Sequence, residues 1–282
     1  MHVLALLDGT ILDGDTPFLT AGDLGAQRGD GIFETLLAVD GRPRKLEAHL
    51  ARLANSAAML GLPAPDAAGW RRGVAALCHS WLSSGGTGEL AIKLVMTRGR
   101  RENGPPTCYV LGMPVPELTL RQRREGVAVL ALDRGYPAGI GERAPWLLVG
   151  AKTLSYAVNM AAVRYAQANG ADDVIFLSSD GWVLEGPTAT VVIAGGRTLR
   201  TPPVVTGILP GTTQQQLFNA AEAAGWAGKS EPLRLADLHA ADAVWLISSV
   251  RQLARVHTLD GRPLRGGGSD ELTAELSALL RT

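Results

Sequence analysis

Lys152 lies in Ala144–Val163 (APWLLVGAKTLSYAVNMAAV), a stretch with no other charged residue. The chain has 27 lysines and arginines together, but only Lys45, Lys93, Lys152 and Lys229 are lysines. Arginine is therefore the default cation here, and a lysine among Leu, Val and Ala asks for a chemical reason. A guanidinium stays charged at any working pH, whereas a desolvated ammonium sheds its proton and becomes a nucleophilic amine. That is the chemistry of an imine-forming lysine. The plainer reading packs the four-carbon stem on apolar surface and lets the amine reach water.

Four further segments bear on that choice, each with a plainer reading of its own. Arg28-Gly-Asp-Gly-Ile-Phe-Glu34 sets two glycines around an aspartate before a strand, which also suits a simple tight turn. His49 and Arg52 are three apart, so they share a helix face. Arg52 offers a planar fork suited to a phosphate, or it sits on a solvated face. Glu185 ends an apolar strand just before Gly186-Pro187, where a carboxylate is displayed. It can pair with a protonated ring nitrogen or be an ordinary strand-end acid. Thr206-Gly-Ile-Leu-Pro-Gly211-Thr212-Thr213 opens a helix, and hydroxyls at a helix N-terminus favour an anion. Plain N-capping by Thr212 or Thr213 explains the same residues. Ser248-Ser249, after an apolar run, offers a further hydroxyl or a turn. An amine, a carboxylate for a ring nitrogen, and an arginine with hydroxyls for a phosphate together match pyridoxal phosphate.

Hairpins and helices in blocks must position these groups. Asp-Gly pairs at 8–9, 40–41, 180–181 and 260–261 suit the left-handed positions of tight turns. Helices are expected over Glu47–Leu60, with Leu50, Leu53, Ala57 and Leu60 on one face, and over Asp66–Ser83. Strands follow at Leu90–Thr97 and Thr107–Met113. Two prolines and a basic cluster, Pro114–Arg124, read as an interdomain linker. Beyond it come a strand at Gly126–Asp133, a helix over Thr153–Gln167, and strands at Val174–Ser178, Trp182–Glu185 and Thr190–Ala194. A helix over Gly211–Ala224, strands at Ala243–Ile247 and Leu253–Leu259, and a helix near Asp270–Leu280 complete the pattern. The expected class is α+β in two domains: 1–115, a linker at 116–125, and 126–282.

Composition excludes some roles. The 27 acidic and 27 basic residues cancel, which argues against nucleic-acid or membrane-surface binding. No stretch approaches the roughly 20 apolar residues of a membrane span. The apolar run at residues 3–7 is too short, and lacks the basic flank, for a signal peptide. Cys78 and Cys108 are too few for a disulfide framework and lack metal-ligand spacing. They are expected to be reduced packing residues in a cytoplasmic protein.

The motifs, in their order along the chain, resemble the class IV aminotransferases, the fold-type IV pyridoxal phosphate enzymes. That family includes branched-chain aminotransferases, D-amino acid aminotransferases and 4-amino-4-deoxychorismate lyases. The resemblance implies Lys152 as the imine lysine, Glu185 on the pyridine nitrogen, and Arg52, Gly211, Thr212, Thr213 and Ser249 around the phosphate. It also implies a small α/β N-terminal domain and a larger cofactor-binding C-terminal domain. The active site would lie between them, in a homodimer acting on a small molecule. D-amino acid aminotransferases place a tyrosine where this chain has Phe33, and an Arg-x-His pair after Thr-Arg-Gly. Here Thr97-Arg98-Gly99 is followed by Arg100–Pro106 with no histidine, so the substrate positions Phe33 and Arg98 form an incomplete carboxylate trap. The branched-chain Tyr-Ile-Arg-Pro strand has no counterpart in Leu90–Met96 either, and the enteric lyases' Arg-Gly-Tyr is missing. Similarity of the segments around Gly31, Lys152 and Glu185 to actinobacterial sequences favours aminodeoxychorismate lyase. An aminotransferase acting on D- or branched-chain amino acids is the alternative, and a non-catalytic binding homologue the remote one.

Overall fold

The computed structural model describes residues 2–264 and 270–281, so positions 265–269 and 282 of the expected second domain lie outside it. The chain divides into two compact units. The first comprises Met1–Pro116 and, rejoining it later in the chain, Ala151–Tyr156.

In this first unit β1 (Val3–Ala5) and β2 (Ile11–Asp13) form a hairpin, followed by the short helix α1 (Leu24–Arg28). Strand β3 (Gly31–Val39) turns into β4 (Arg42–Pro43) through Asp40 and Gly41, whose φ values of 47° and 73° give the left-handed pair that the Asp-Gly dipeptide favours. Helices α2 (Leu46–Met59) and α3 (Ala67–Ser83) come next, then β5 (Glu89–Thr97) and β6 (Thr107–Pro114). Asp66 caps α3 by accepting from the Gly69 N–H at 3.0 Å. The strands form one antiparallel sheet in the order β2-β1-β6-β5-β3-β4. Leu50, Leu53 and Ala57 of α2 and Trp70, Val74 and Leu77 of α3 pack with Ile32, Leu36, Ile92, Leu94 and Val110 in a core on one face of that sheet.

Residues 152–154 continue this sheet on the edge of β3. Ile32 bridges to Thr153, the Leu154 N–H donates to the Gly31 carbonyl at 2.8 Å, and the Phe33 N–H donates to the Lys152 carbonyl at 3.0 Å. The helix expected from Thr153 therefore starts later, because these residues already spend their backbone groups on β3.

The second unit comprises Glu117–Gly150 and Ala157–Thr282. Its elements are α4 (Glu117–Glu125), β7 (Val127–Asp133), α5 (Ile140–Arg143), α6 (Ala157–Ala168), β8 (Asp173–Leu177), β9 (Thr190–Gly195) and β10 (Thr198–Thr201). They continue with α7 (Thr212–Ala223), β11 (Ala227–Ser230), α8 (Leu235–Ala240), β12 (Ala243–Ser248), β13 (Gln252–Leu259), β14 (Arg262–Pro263) and α9 (Asp270–Arg281). The sheet runs β11-β10-β9-β12-β13-β7-β8, with β14 on β13. Pairing is parallel at β10/β11, β13/β7 and β7/β8 and antiparallel elsewhere.

Both faces of this sheet are buried. Val191, Ile193, Val244 and Leu246 pack with Leu233 and Leu238 on one face. Val192, Ala194 and Trp245 pack with Leu217 of α7 and Leu276 and Leu280 of α9 on the other. Adjacent residues alternate between the faces as a pleated strand requires.

Two expectations change here. The segment 116–125, read as a linker, is mostly helix α4, with Glu117 in its first turn and Arg123 and Arg124 in its last, the arrangement that suits the helix dipole. It is docked: the Arg123 guanidinium donates to the Val250 carbonyl, and Gln122 Oε1 accepts from Arg251 at 3.4 Å. Trp182–Glu185 is not a continuous strand. Val183 bridges to Leu177 and Trp182 to Arg234, so its pairing is split between two neighbours.

Gly31 marks where the residues around Lys152 meet the sheet. A Cβ there would come within 2.7 Å of both the Met96 carbonyl oxygen and Leu154 Cδ1. Gly31→Ala is expected to push the 152–154 segment off β3 and cost roughly 1–3 kcal/mol, as overpacking does. Urea unfolding checks this, and an unchanged midpoint would show that the edge yields freely.

Candidate functional site

In the first unit Lys152 is held by its backbone and faces an aromatic wall. Its N–H donates to Ser56 Oγ of α2 at 3.1 Å, and its carbonyl accepts from Phe33. Its Nζ lies 4.5 Å from the Phe33 ring centroid and 5.8 Å from that of Tyr156. The two rings meet edge to face at 5.1 Å, a favoured aromatic geometry. Phe33, expected to bind substrate, is thus the surface on which the Lys152 amine rests.

The helix face bearing His49 and Arg52 is buried rather than solvated. Arg52 grips Glu34 of β3 with both prongs of its fork, Nε to Oε1 and Nη2 to Oε2, each at 2.7 Å. His49 Nδ1 is 2.7 Å from the same Oε2. Glu34 is fully buried. Burial, the largest single influence, opposes its ionisation. The hydrogen bonds and charges of Arg52 and His49 outweigh it, leaving the carboxyl at about 2 against an ordinary 4.5. Burial moves His49 below its ordinary 6.5, so the ring is neutral at pH 7. A carboxylate only accepts, so Nδ1 carries the proton.

Arg98 is turned to structural work. Its Nε bonds Asp30 Oδ2 at 3.0 Å, while Nη2 and Nη1 reach the carbonyls of Leu60 and Gly61 at 2.7 and 3.2 Å. A cation on the last carbonyls of α2 satisfies that helix end and suits its dipole. Arg98 thus braces Asp30 against the end of α2.

In the second unit the hydroxyls expected around a phosphate do come together. Ser249 Oγ lies 3.3 Å from Thr212 Oγ1 and 3.1 Å from Thr213 Oγ1. They gather at the start of α7, whose N-cap is Gly211 and has no side chain to cap with. N-capping by Thr212 or Thr213 is thereby replaced: both lie inside the first turn. A first turn leaves N–H groups without intrahelical acceptors, a setting for an anion. A Cβ on Gly211 would stand 2.4 Å from Thr190 Oγ1, so no larger residue fits unchanged.

Glu185 is oriented by the Leu209 N–H, which donates to its Oε2 at 3.1 Å. The turn behind it is pinned by Asn159, whose amide donates to the Pro187 carbonyl at 2.7 Å while its Oδ1 accepts from Arg134 at 2.9 Å.

A family model described as amino-transferase class IV matches residues 31–259. The chain belongs to the class IV aminotransferase family. These are pyridoxal phosphate-dependent enzymes, and the paired α+β units are the fold-type IV architecture. A relative from Mycobacterium tuberculosis, the bifunctional aminodeoxychorismate lyase / D-amino acid transaminase, is 50% identical over 281 residues, 97% of each chain. A solved hypothetical aminotransferase from M. tuberculosis, in its pyridoxal phosphate-bound form, superposes with a TM-score of 0.95 at 50% identity, covering 99% of this chain and 98% of that one. The 4-amino-4-deoxychorismate lyase of Pseudomonas aeruginosa gives a TM-score of 0.77 at 27% identity, over 100% of this chain and 98% of that one. No helix among the described residues is long and apolar enough to cross a membrane, and none of their His, Cys, Asp and Glu side chains form a metal-holding group. Burial lifts both cysteine thiols to about 11, which keeps them protonated.

The burial of Glu34 and the contact of Tyr156 with Phe33 were not read from the sequence. Glu34 had one usable signal: a charged residue inside the apolar run Ile32–Val39 needs a buried partner. The Glu34 carboxyl, held far below its ordinary value, contributes stability that is complete above about pH 4.5 and is lost as pH falls toward 2. Glu34→Gln is expected to cost about 3–5 kcal/mol near neutral pH by leaving Arg52 buried and uncompensated. The gap between variant and wild type in urea unfolding should narrow below pH 4.5.

Proposed function

We propose that this enzyme is an aminodeoxychorismate lyase that also transaminates D-amino acids. The relative that is 50% identical over 97% of the chain, named for both activities, carries this reading. The donor set supports it, because its groups fit each functional group of pyridoxal phosphate. Lys152 would supply the amine for the aldehyde, and Glu185, oriented by the Leu209 N–H, would accept from the protonated ring nitrogen. In the second unit Thr212, Thr213 and Ser249, with the Gly211 backbone, would hold the phosphate. In the first unit Arg52 is the guanidinium proposed for it, its fork fixed by Glu34.

Bound pyridoxal phosphate supplies an electron sink for a substrate carbon that loses its proton. Lys152 is the base that takes that proton, from C4 of aminodeoxychorismate or from the α-carbon of a D-amino acid. Its backbone is held by β3 and Ser56, which limits where the amine can reach. In the lyase reaction the C–O bond to the enolpyruvyl group then breaks. The leaving group takes up a proton and departs as pyruvate, and the ring becomes aromatic 4-aminobenzoate. No second substrate is consumed. Transamination by the same base requires a keto acid to complete each cycle. Phe33 packs against the substrate ring beside the amine.

We also propose that the enzyme is a homodimer, supported by the exposed Trp146, Leu147, Val204 and Val205 of the second unit. A light-scattering mass of one chain would exclude it.

Aminodeoxychorismate alone is expected to yield 4-aminobenzoate and pyruvate, and D-alanine with 2-oxoglutarate to yield pyruvate and glutamate. Lys152→Ala should do neither. Transamination without 4-aminobenzoate would sink the lyase reading, and the converse would remove the second activity.

A further inference from the structure

Lys93 meets the same criterion that singles out Lys152: it is a scarce lysine within an apolar strand, Leu90–Met96. It lies in the middle of β5, opposite Thr35 of β3 and Leu111 of β6. Its neighbours Ile92 and Leu94 point into the core beneath the helices, so Lys93 projects from the other face of the sheet, where Phe33 also lies. Its Nζ is 4.6 Å from the Phe33 centroid, against 4.5 Å for Lys152. Two amines thus rest on one ring, and no more than twice that distance separates them.

Three arginines sunk into this fold have acids: Arg52 holds Glu34, Arg98 holds Asp30, and Arg251 holds Asp173 at 2.6 Å. Lys93 is half-buried, and among the described residues no carboxylate lies within ion-pair distance of it. Burial pulls its ammonium below its ordinary 10.5. The Phe33 ring offers only a weak cation–π contact. A partly desolvated ammonium is stable when an anion completes it, and among the described residues of the first unit none does.

We propose that Lys93 binds a carboxylate of the substrate, beside the amine of Lys152. This inference rests on the proposed reading, in which both substrate classes carry a carboxylate close to the reacting amine. It supplies an anion contact on the Phe33 face of the sheet, whereas the printed bonds of Arg98 go to Asp30 and two carbonyls. Lys93 positions the substrate and takes no proton from it. Arginine would serve the same purpose, because a guanidinium also receives a carboxylate.

The test uses the holoenzyme with Lys93→Met, which keeps an unbranched stem without the charge, and Lys93→Arg. KM is measured for whichever of aminodeoxychorismate and D-alanine the wild type turns over. The cofactor's dissociation constant is followed separately, by its visible absorbance. In Lys93→Met, KM is expected to rise on the order of tenfold or more, with kcat changed far less and cofactor affinity unaltered. Lys93→Arg should restore most of that loss. Unchanged KM in Lys93→Met would overturn the proposal, leaving an amine that merely reaches solvent. Loss of cofactor with unchanged KM at saturating cofactor would overturn it too, by assigning Lys93 to the cofactor's phosphate. Because either substrate suffices, failure of the lyase reading alone leaves the Lys93 result interpretable.

Discussion

A buried carboxylate organises the first unit. Glu34 has no access to water, so its charge is tolerable only with Arg52 and His49 against it. That requirement locks α2 to β3. One turn beyond Arg52, on the same helix face, Ser56 accepts from the Lys152 N–H. The Lys152 carbonyl in turn accepts from Phe33, the neighbour of Glu34 on β3. The contacts close a circuit from strand to helix to the Lys152 segment and back to the strand. The backbone of Lys152 inherits its position from a buried ion pair on the neighbouring helix and strand.

Strand parity divides the labour along that circuit. Glu34 and Phe33 are adjacent and therefore face opposite sides of the sheet. The side toward the helices spends charge on internal order. The other side presents one aromatic ring with the amines of Lys93 and Lys152 over it. The second unit solves a related problem with helix ends instead of strands, gathering Thr212, Thr213 and Ser249 where α7 begins.

What the sequence revealed depended on how local the cause was. The turns at Asp40-Gly41 and Asp260-Gly261 were legible because both residues of each adopt positive φ, which few dipeptides tolerate. The apolar stripe of α2 was legible from its period. The start of α6 was not, since residues 153–154 look helical but are claimed by β3. Strand β11 is exposed at all four residues and carries no alternation to read. Helix α4 was hidden by its polar composition and preceding prolines. At the site, residue types were legible and commitments were not. Arg52 and Arg98 looked equally available for anions, and only the structure shows each already bonded to an acid, Arg52 to Glu34 and Arg98 to Asp30.

The placement of 151–156 also bears on how the chain is made. As synthesis proceeds, β3 emerges early, and its edge at Gly31–Phe33 has no partner until Lys152–Leu154 leaves the ribosome. Open edges of apolar strands invite pairing with other chains. Between these points the chain builds the start of the second unit, so the contact is among the most distant in sequence and slow to form. The segment that carries Lys152 also seals the nascent sheet. A molecule that has placed Lys152 has, by the same pairing, lost a route to aggregation.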